Sequence, residues 1–215
     1  MGLSLESMAI EMPAVFGHPN RVAFRGVLTL VDVASDRAPA GARGHRVMLT
    51  RKAAEAAIPS LLGMALDYSP RLDGHDTRRK IGVITRAEIV GREIAVSGFL
   101  YGRDFPEMVE EIGRTIVSHQ TSGIRKGVSG RLERENVFGA VMDAAQALKV
   151  GRLTAFGESG ARPAQTGLGM SYEIADAVVE DIKAKVWVLN RVTFTGAAVL
   201  KRDKAAYQAT WIELE

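Results

Sequence analysis

The sequence predicts a mostly β protein of the α+β type, in which an antiparallel sheet or barrel is decorated by peripheral helices. Segments rich in β-branched and apolar residues recur along the 215-residue chain. Helical patterns are inserted between these segments and do not alternate strictly with them, which argues against a doubly wound parallel sheet. The length suits one domain, residues 1–215, with a single sizeable core.

The predicted strands are defined by composition and by one turn. Gly91-Arg92 lies between two such segments and predicts a tight β-hairpin. The strands predicted in this way are 22–33, 80–90, 93–101 and 185–194, with 197–200 continuing the last one.

Helices are predicted at three places. Thr50 is a plausible N-cap for a helix over 51–62, which Pro59 would bend or end early. Residues 105–117 carry apolar side chains at helical spacing, with acids on the other face. Residues 137–148 are a further helix candidate, and 151–169 predict a long loop rich in Gly, Ala and Pro.

Composition excludes several classes of chemistry. The chain has no cysteine, which removes disulfides, thiolate zinc sites and cysteine nucleophiles. Its net charge is only +3, and its densest basic stretch, Arg78-Arg79-Lys80, is too short for a nucleic-acid footprint. No histidine pair has metal-ligand spacing and no glycine-rich loop ends in Gly-Lys-Ser/Thr, so we expect no metal and no nucleotide cofactor.

The sequence contains no targeting or membrane-spanning pattern. The first basic residue is Arg21, whereas a secretory signal needs a positive start followed by an unbroken apolar stretch. No run of about 18 apolar residues is present. We therefore expect a soluble protein, without membrane partners, in the cytoplasm of the cell that makes it.

Two side chains are candidates for nucleophilic catalysis. His75 immediately precedes a predicted strand, where a rigid backbone could hold an accessible general base. Ser129 is flanked by Gly127 and Gly130, which leave room for a substrate and free N–H groups for an oxyanion. Taken alone, His75 is better explained as a histidine in a solvated turn, and Ser129 as a serine in a glycine-rich turn.

The order of these features resembles the tailed-phage prohead (capsid maturation) serine protease family, which is similar in fold to the herpesvirus assembly protease. The matching features, over roughly residues 20–200, are the opening strand 22–33, His75 before Ile81-Gly82, the hairpin up to residue 101, the helix 105–117, Gly127-Val128-Ser129, and Leu189-Asn190-Arg191-Val192-Thr193 followed by Gly196-Ala197-Ala198.

The resemblance implies a herpesvirus-protease-like antiparallel β-barrel and a serine endopeptidase without a cofactor. The enzyme would cleave scaffold or capsid-protein segments inside the immature capsid, in the host cytoplasm, and its partners would be the major capsid and scaffold proteins. His75 would be the base and Ser129 the nucleophile. The oligomeric state, including a homo-oligomer, stays open.

Two departures from the family pattern concern the rest of the site. Residues 133–183 are longer than the usual link, which predicts an inserted helix and loop, and Arg191 stands at the family's acidic position. Asn190 is then the candidate for the third catalytic residue, as the only polar residue on one predicted face of its strand. Alternatives are Asp76, Glu158 and Asp181. The main rival function is a catalytically inactive protease-fold protein with a structural or assembly role in a phage particle. A second rival is an unrelated antiparallel-sheet protein of bacterial origin.

Overall fold

A computed structural model describes residues 7–13, 17–121 and 167–215 of the chain. This part is mostly β, as the sequence predicts, with few helices. Its nine strands form one sheet that curls into a half-barrel. The strands are β1 (Ser7–Ala9), β2 (Arg21–Leu30), β3 (Arg46–Leu49), β4 (Ala65–Asp67), β5 (Lys80–Val90), β6 (Glu93–Tyr101), β7 (Leu168–Val179), β8 (Val186–Lys201) and β9 (Trp211–Leu214).

The pairing of these strands is mainly antiparallel. The order across the sheet is β3-β8-β4-β5-β6-β2-β9, while β1 pairs with β5 and β7 pairs with β8. Of the nine strands, only the short β3 and β4 run parallel to their neighbour β8. The predicted hairpin is confirmed as β5 and β6, joined at Gly91, whose φ of 59° is in the left-handed region that glycine tolerates.

The two α-helices of the described residues lie where the sequence predicts them. In α1 (Arg51–Ala57), the Thr50 side chain caps the N-terminus by accepting a hydrogen bond from the N–H of Ala53. Pro59 then lies within a 3-10 turn (Ile58–Leu61), so the α-helix ends early. In α2 (Pro106–Thr121), Met108 and Ile112 are buried in the main core.

Three glycines allow neighbouring strands to approach closely as the sheet curls. A Cβ on Gly98 of β6 would lie 1.9 Å from the carbonyl oxygen of Val83, far inside van der Waals contact. A Cβ on Gly82 or Gly26 would lie 2.3–2.4 Å from a backbone oxygen of the neighbouring strand. The curvature therefore depends on the absence of side chains at these positions.

The structure differs from the predicted insertion in its described part. Residues Leu168–Val179, which the sequence assigned to an inserted loop and its flank, form β7 and pair along β8. The residues after β8, for which the sequence predicts no strand, contain β9, which pairs with β2. The predicted helix 137–148 lies outside the described residues. Within the ranges given above, no helix is both long and apolar enough to cross a membrane.

Candidate active site

Strand β8 brings together two polar side chains from its two neighbours. Ala198 of β8 is the register partner of Asp67 in β4 on one side and of Ser171 in β7 on the other. Two strand spacings place the Cα atoms of Asp67 and Ser171 roughly 10 Å apart. A histidine ring lying over Ala198, whose methyl group is small, can therefore contact both side chains.

His75 occupies this bridging position. Its Nε2 atom lies 3.4 Å from the Ser171 hydroxyl oxygen, and its Nδ1 atom lies 3.4 Å from Oδ1 of Asp67. The His75 side chain is 13% exposed, so one edge of the ring is accessible to solvent. The Nδ1 atom itself is buried and forms no hydrogen bond of normal geometry with the described residues, so its contact with Asp67 is electrostatic.

The loop between β4 and β5 is tethered by two contacts just before His75. The Ser69 hydroxyl donates to Asp73 at 2.7 Å, and the carbonyl oxygen of Leu72 accepts the N–H of Lys201 at 2.8 Å. Leu72 has a φ of 54°, an uncommon conformation for a residue with a large side chain. This strained, tethered turn positions the histidine against β7 and β8.

Asp67 is a completely buried carboxylate with several partners. Its Oδ2 atom accepts a hydrogen bond from the Lys80 ammonium at 3.1 Å, and its Oδ1 atom accepts the N–H of Asp76 at 3.3 Å. Burial alone would raise the pKa of Asp67, but the adjacent His75 and Lys80 side chains outweigh it and hold the pKa below its ordinary value. Asp67 is therefore ionised at neutral pH.

A second carboxylate, Glu173, lies at the exposed edge of the site. Its Oε1 atom is 4.0 Å from Nδ1 of His75, and its side chain is 47% exposed. Glu173 follows Ser171 by two positions in β7, so both side chains are on the same face of the strand. The site thus has one buried and one exposed carboxylate.

This arrangement has the connectivity of a Ser-His-Asp catalytic set. A buried carboxylate beside Nδ1 favours the tautomer that has its proton on Nδ1, which leaves Nε2 free to accept the serine proton. The 3.4 Å contact between Nε2 and the Ser171 hydroxyl is longer than the 2.6–3.2 Å of a productive proton transfer, and such contacts often tighten only when substrate binds.

The structure does not bring Asn190 to His75. Between β7 and β8, Val178 pairs with Arg191 and Val179 with Leu189, so Asn190 is an extra residue at a β-bulge. The bulge interrupts the alternation on which the predicted apolar face depended. Asn190 is exposed, and its amide nitrogen donates to Glu180 at 3.4 Å. It also lies eight positions before Ala198, roughly 25 Å along an extended strand.

The other predicted candidates have separate outcomes. Ser129 and Glu158 lie outside the described residues. Asp181 is exposed in the turn between β7 and β8, where its side chain accepts the N–H of Lys183. Asp76 contributes its backbone N–H to Asp67, while its carboxylate faces Arg78 and Arg79. Of the sequence candidates, only His75 is therefore found in the described site.

Sequence reasoning missed Asp67 and Ser171. Asp67 was detectable as a single carboxylate among apolar neighbours in Met64-Ala65-Leu66-Asp67-Tyr68, which is unusual unless the carboxylate has a buried partner. Ser171 gave no such signal, because the glycines at 167 and 169 made its segment resemble a loop.

No group of three or more His, Cys, Asp or Glu side chains in the described part of the chain is arranged to hold a metal ion. Comparisons of the chain with protein-family models, with curated proteins and with solved structures found no match.

Proposed function

We propose that this protein is a serine endopeptidase in which Asp67, His75 and Ser171 form the catalytic set. The observation that supports this most strongly is the pair of contacts made by His75, with a serine hydroxyl at Nε2 and an ionised, buried carboxylate at Nδ1. This order of groups is what acyl transfer by a serine requires.

The proposed reaction begins when the hydroxyl oxygen of Ser171 attacks the carbonyl carbon of a peptide bond. His75 Nε2 takes the hydroxyl proton, and Asp67 stabilises the imidazolium that forms. His75 then gives this proton to the leaving amine, and a water molecule activated by the same histidine hydrolyses the acyl-enzyme. Lys80 keeps Asp67 ionised and oriented throughout, because it occupies the carboxylate oxygen that does not face His75.

The resemblance to prohead proteases suggests the substrate and the setting. On that basis, we propose that the polypeptide cleaved is a scaffold or capsid-protein segment within an immature phage particle, in the host cytoplasm. The resemblance also keeps Ser129 as the competing nucleophile. If Ser129 is the nucleophile, His75 and Asp67 keep the roles given above, and Ser171 only lies next to His75.

Labelling with a fluorophosphonate, which modifies activated serines, tests the proposal. We expect the wild-type protein to be labelled, and Ser171→Ala and His75→Ala to lose labelling. Asp67→Asn should label about 10⁴-fold more slowly. Ser97→Ala, a half-buried serine of β6, is the matched control and should label at the wild-type rate. Loss of labelling in Ser129→Ala with retention in Ser171→Ala would transfer the nucleophile to Ser129.

The second candidate function is a non-catalytic structural or assembly protein of a phage particle. Arg191 favours it, because this exposed residue stands where the family has an acid. Absence of labelling of the folded wild-type protein across the neutral and alkaline pH range would establish this alternative over the protease.

A further inference from the structure

We propose that Glu173 selects substrates with a lysine or arginine side chain within two residues of the cleaved bond. This inference rests on the proposed function and specifies its substrate class, an extended polypeptide that is cationic near the cleavage point. It follows from the position of Glu173, from its lack of a permanent cationic partner among the described residues, and from the backbone of β7 beside Ser171.

The position of Glu173 is set by the strand pair. Its register partner in β8 is Gly196, and a Cβ at that position would lie 2.8 Å from Oε2 of Glu173. The absent side chain at Gly196 therefore leaves the space in which the carboxylate lies. From there Glu173 reaches to 4.0 Å from the His75 ring, on the strand face that also presents Ser171.

Glu173 has no Lys or Arg ion-pair partner in the part of the chain that the structure describes. Its one ion-pair contact there is with His75, which provides a positive charge only when the ring is protonated. Lys80 and Arg79, the cations closest in sequence to His75 on its C-terminal side after Arg78, are paired with Asp67 and Asp76. While His75 is a neutral base, Glu173 is thus an uncompensated negative charge at the exposed edge of the site. A substrate cation would compensate it.

The backbone next to Ser171 carries two polar groups without a hydrogen-bond partner among the described residues. The N–H of Met170 points away from β8, because it donates to the hydroxyl of Thr210. In an antiparallel pair this direction alternates from one residue to the next, so residues two positions apart point the same way. The N–H and C=O of Tyr172 therefore also point away from β8. Within the described ranges, no hydrogen bond partner is found for these two groups. A peptide could pair with them as an added strand, which would bring its side chains past Glu173.

Peptide binding and cleavage test the inference. The probes are peptides that each carry one lysine, placed at one of the two positions before or one of the two positions after the cleaved bond. Each lysine peptide has a matched peptide with norleucine at the same position. We expect one lysine peptide to be preferred by about fivefold in kcat/KM over its norleucine counterpart, and Glu173→Gln to remove that preference. Glu173→Lys should instead prefer a glutamate peptide. Glu180→Gln, an exposed carboxylate of the same hairpin, is the control and should keep the lysine preference.

The readouts separate this inference from the function on which it rests. The affinities of the same peptides are also measured on Ser171→Ala, with and without Glu173→Gln, so that binding is seen without turnover. If the wild-type protein is labelled by a fluorophosphonate but has the same kcat/KM and affinity for lysine and norleucine peptides, only the role of Glu173 is overturned. An equal loss of kcat/KM on both peptide types in Glu173→Gln would also overturn it, because Glu173 would then act on His75 and not on the substrate. A protein that is not labelled overturns the proposed function.

Discussion

A carboxylate without exposed surface stays ionised only where cations or hydrogen-bond donors surround it, and Asp67 meets this condition through the Lys80 ammonium and the backbone N–H of Asp76. Removing the charge of Asp67 or of Lys80 leaves the charge of the other group without its partner. Asp67 therefore links the stability of the fold to the organisation of the proposed active site.

The lowered pKa of Asp67 predicts how stability depends on pH. Because the folded-state pKa is below the ordinary value of 3.8, the ionised carboxylate stabilises the fold above that pH. This stabilisation is lost as the pH falls through the lower folded-state value. In urea unfolding between pH 7 and pH 2.5, Asp67→Asn should be less stable than wild type at pH 7, and the gap should narrow at the acid end. A constant gap would show that the charge of Asp67 is not the stabilising feature.

Asn190 provides a test at a residue that the sequence favours and that the structure places away from His75. It is exposed at the bulge of β8, where its side chain makes a long hydrogen bond with Glu180. Asn190→Ala should change the free energy of unfolding by no more than about 0.5 kcal/mol and leave fluorophosphonate labelling at the wild-type rate. A large loss of labelling in a folded Asn190→Ala protein would restore Asn190 as the third catalytic residue.

At the scale of the elements, the curl of β5 and β6 depends on glycine. Gly98→Ala would place a methyl group 1.9 Å from the carbonyl oxygen of Val83, and backbone cannot move away as a flexible side chain could. We expect a loss of at least about 3 kcal/mol in the free energy of unfolding, at the upper end of overpacking costs. Gly74→Ala is the control, because no atom lies within 4 Å of the place its methyl group would take, and it should change stability by about 0.5 kcal/mol or less. Equal effects of the two substitutions would contradict the close approach of the strands.

Local signals made several elements predictable from the sequence, and non-local contacts made others unpredictable. The cap at Thr50, the early end of α1 before Pro59 and the turn at Gly91 all depend on neighbouring residues, and the structure contains all three. The pairing of β7 with β8 depends on contacts between segments whose patterns do not reveal them. The bulge at Asn190 belongs to that pairing, so the face of β8 could not be read from alternation alone.

At the scale of the whole molecule, the proposed site is a product of the topology. Its three members come from β4, from the loop that follows β4, and from β7. His75 and Ser171 are more than 90 positions apart along the chain, and they meet because β8 pairs with both β4 and β7. Sequence reasoning could nominate the histidine from its local context. It could not find the carboxylate and the serine, because their proximity is created by the sheet.

The setting proposed for the molecule has its own test. If the protein matures phage capsids, its gene should lie between a portal gene and a major capsid protein gene. Co-expression with that capsid protein, and with any separate scaffold, should yield a shortened product that is absent with His75→Ala. If the wild-type enzyme is labelled by a fluorophosphonate but leaves the capsid protein and the scaffold uncut, the endopeptidase acts on another substrate.

The identity of the modified residue tests the central claim most directly. The wild-type protein is reacted with a fluorophosphonate, digested, and the adduct is located by mass spectrometry. The Asp67–His75–Ser171 set predicts that the adduct is on the hydroxyl oxygen of Ser171, in the peptide that contains Gly169-Met170-Ser171-Tyr172, and that His75→Ala removes it. An adduct on Ser129, or no adduct on the folded protein, would contradict it.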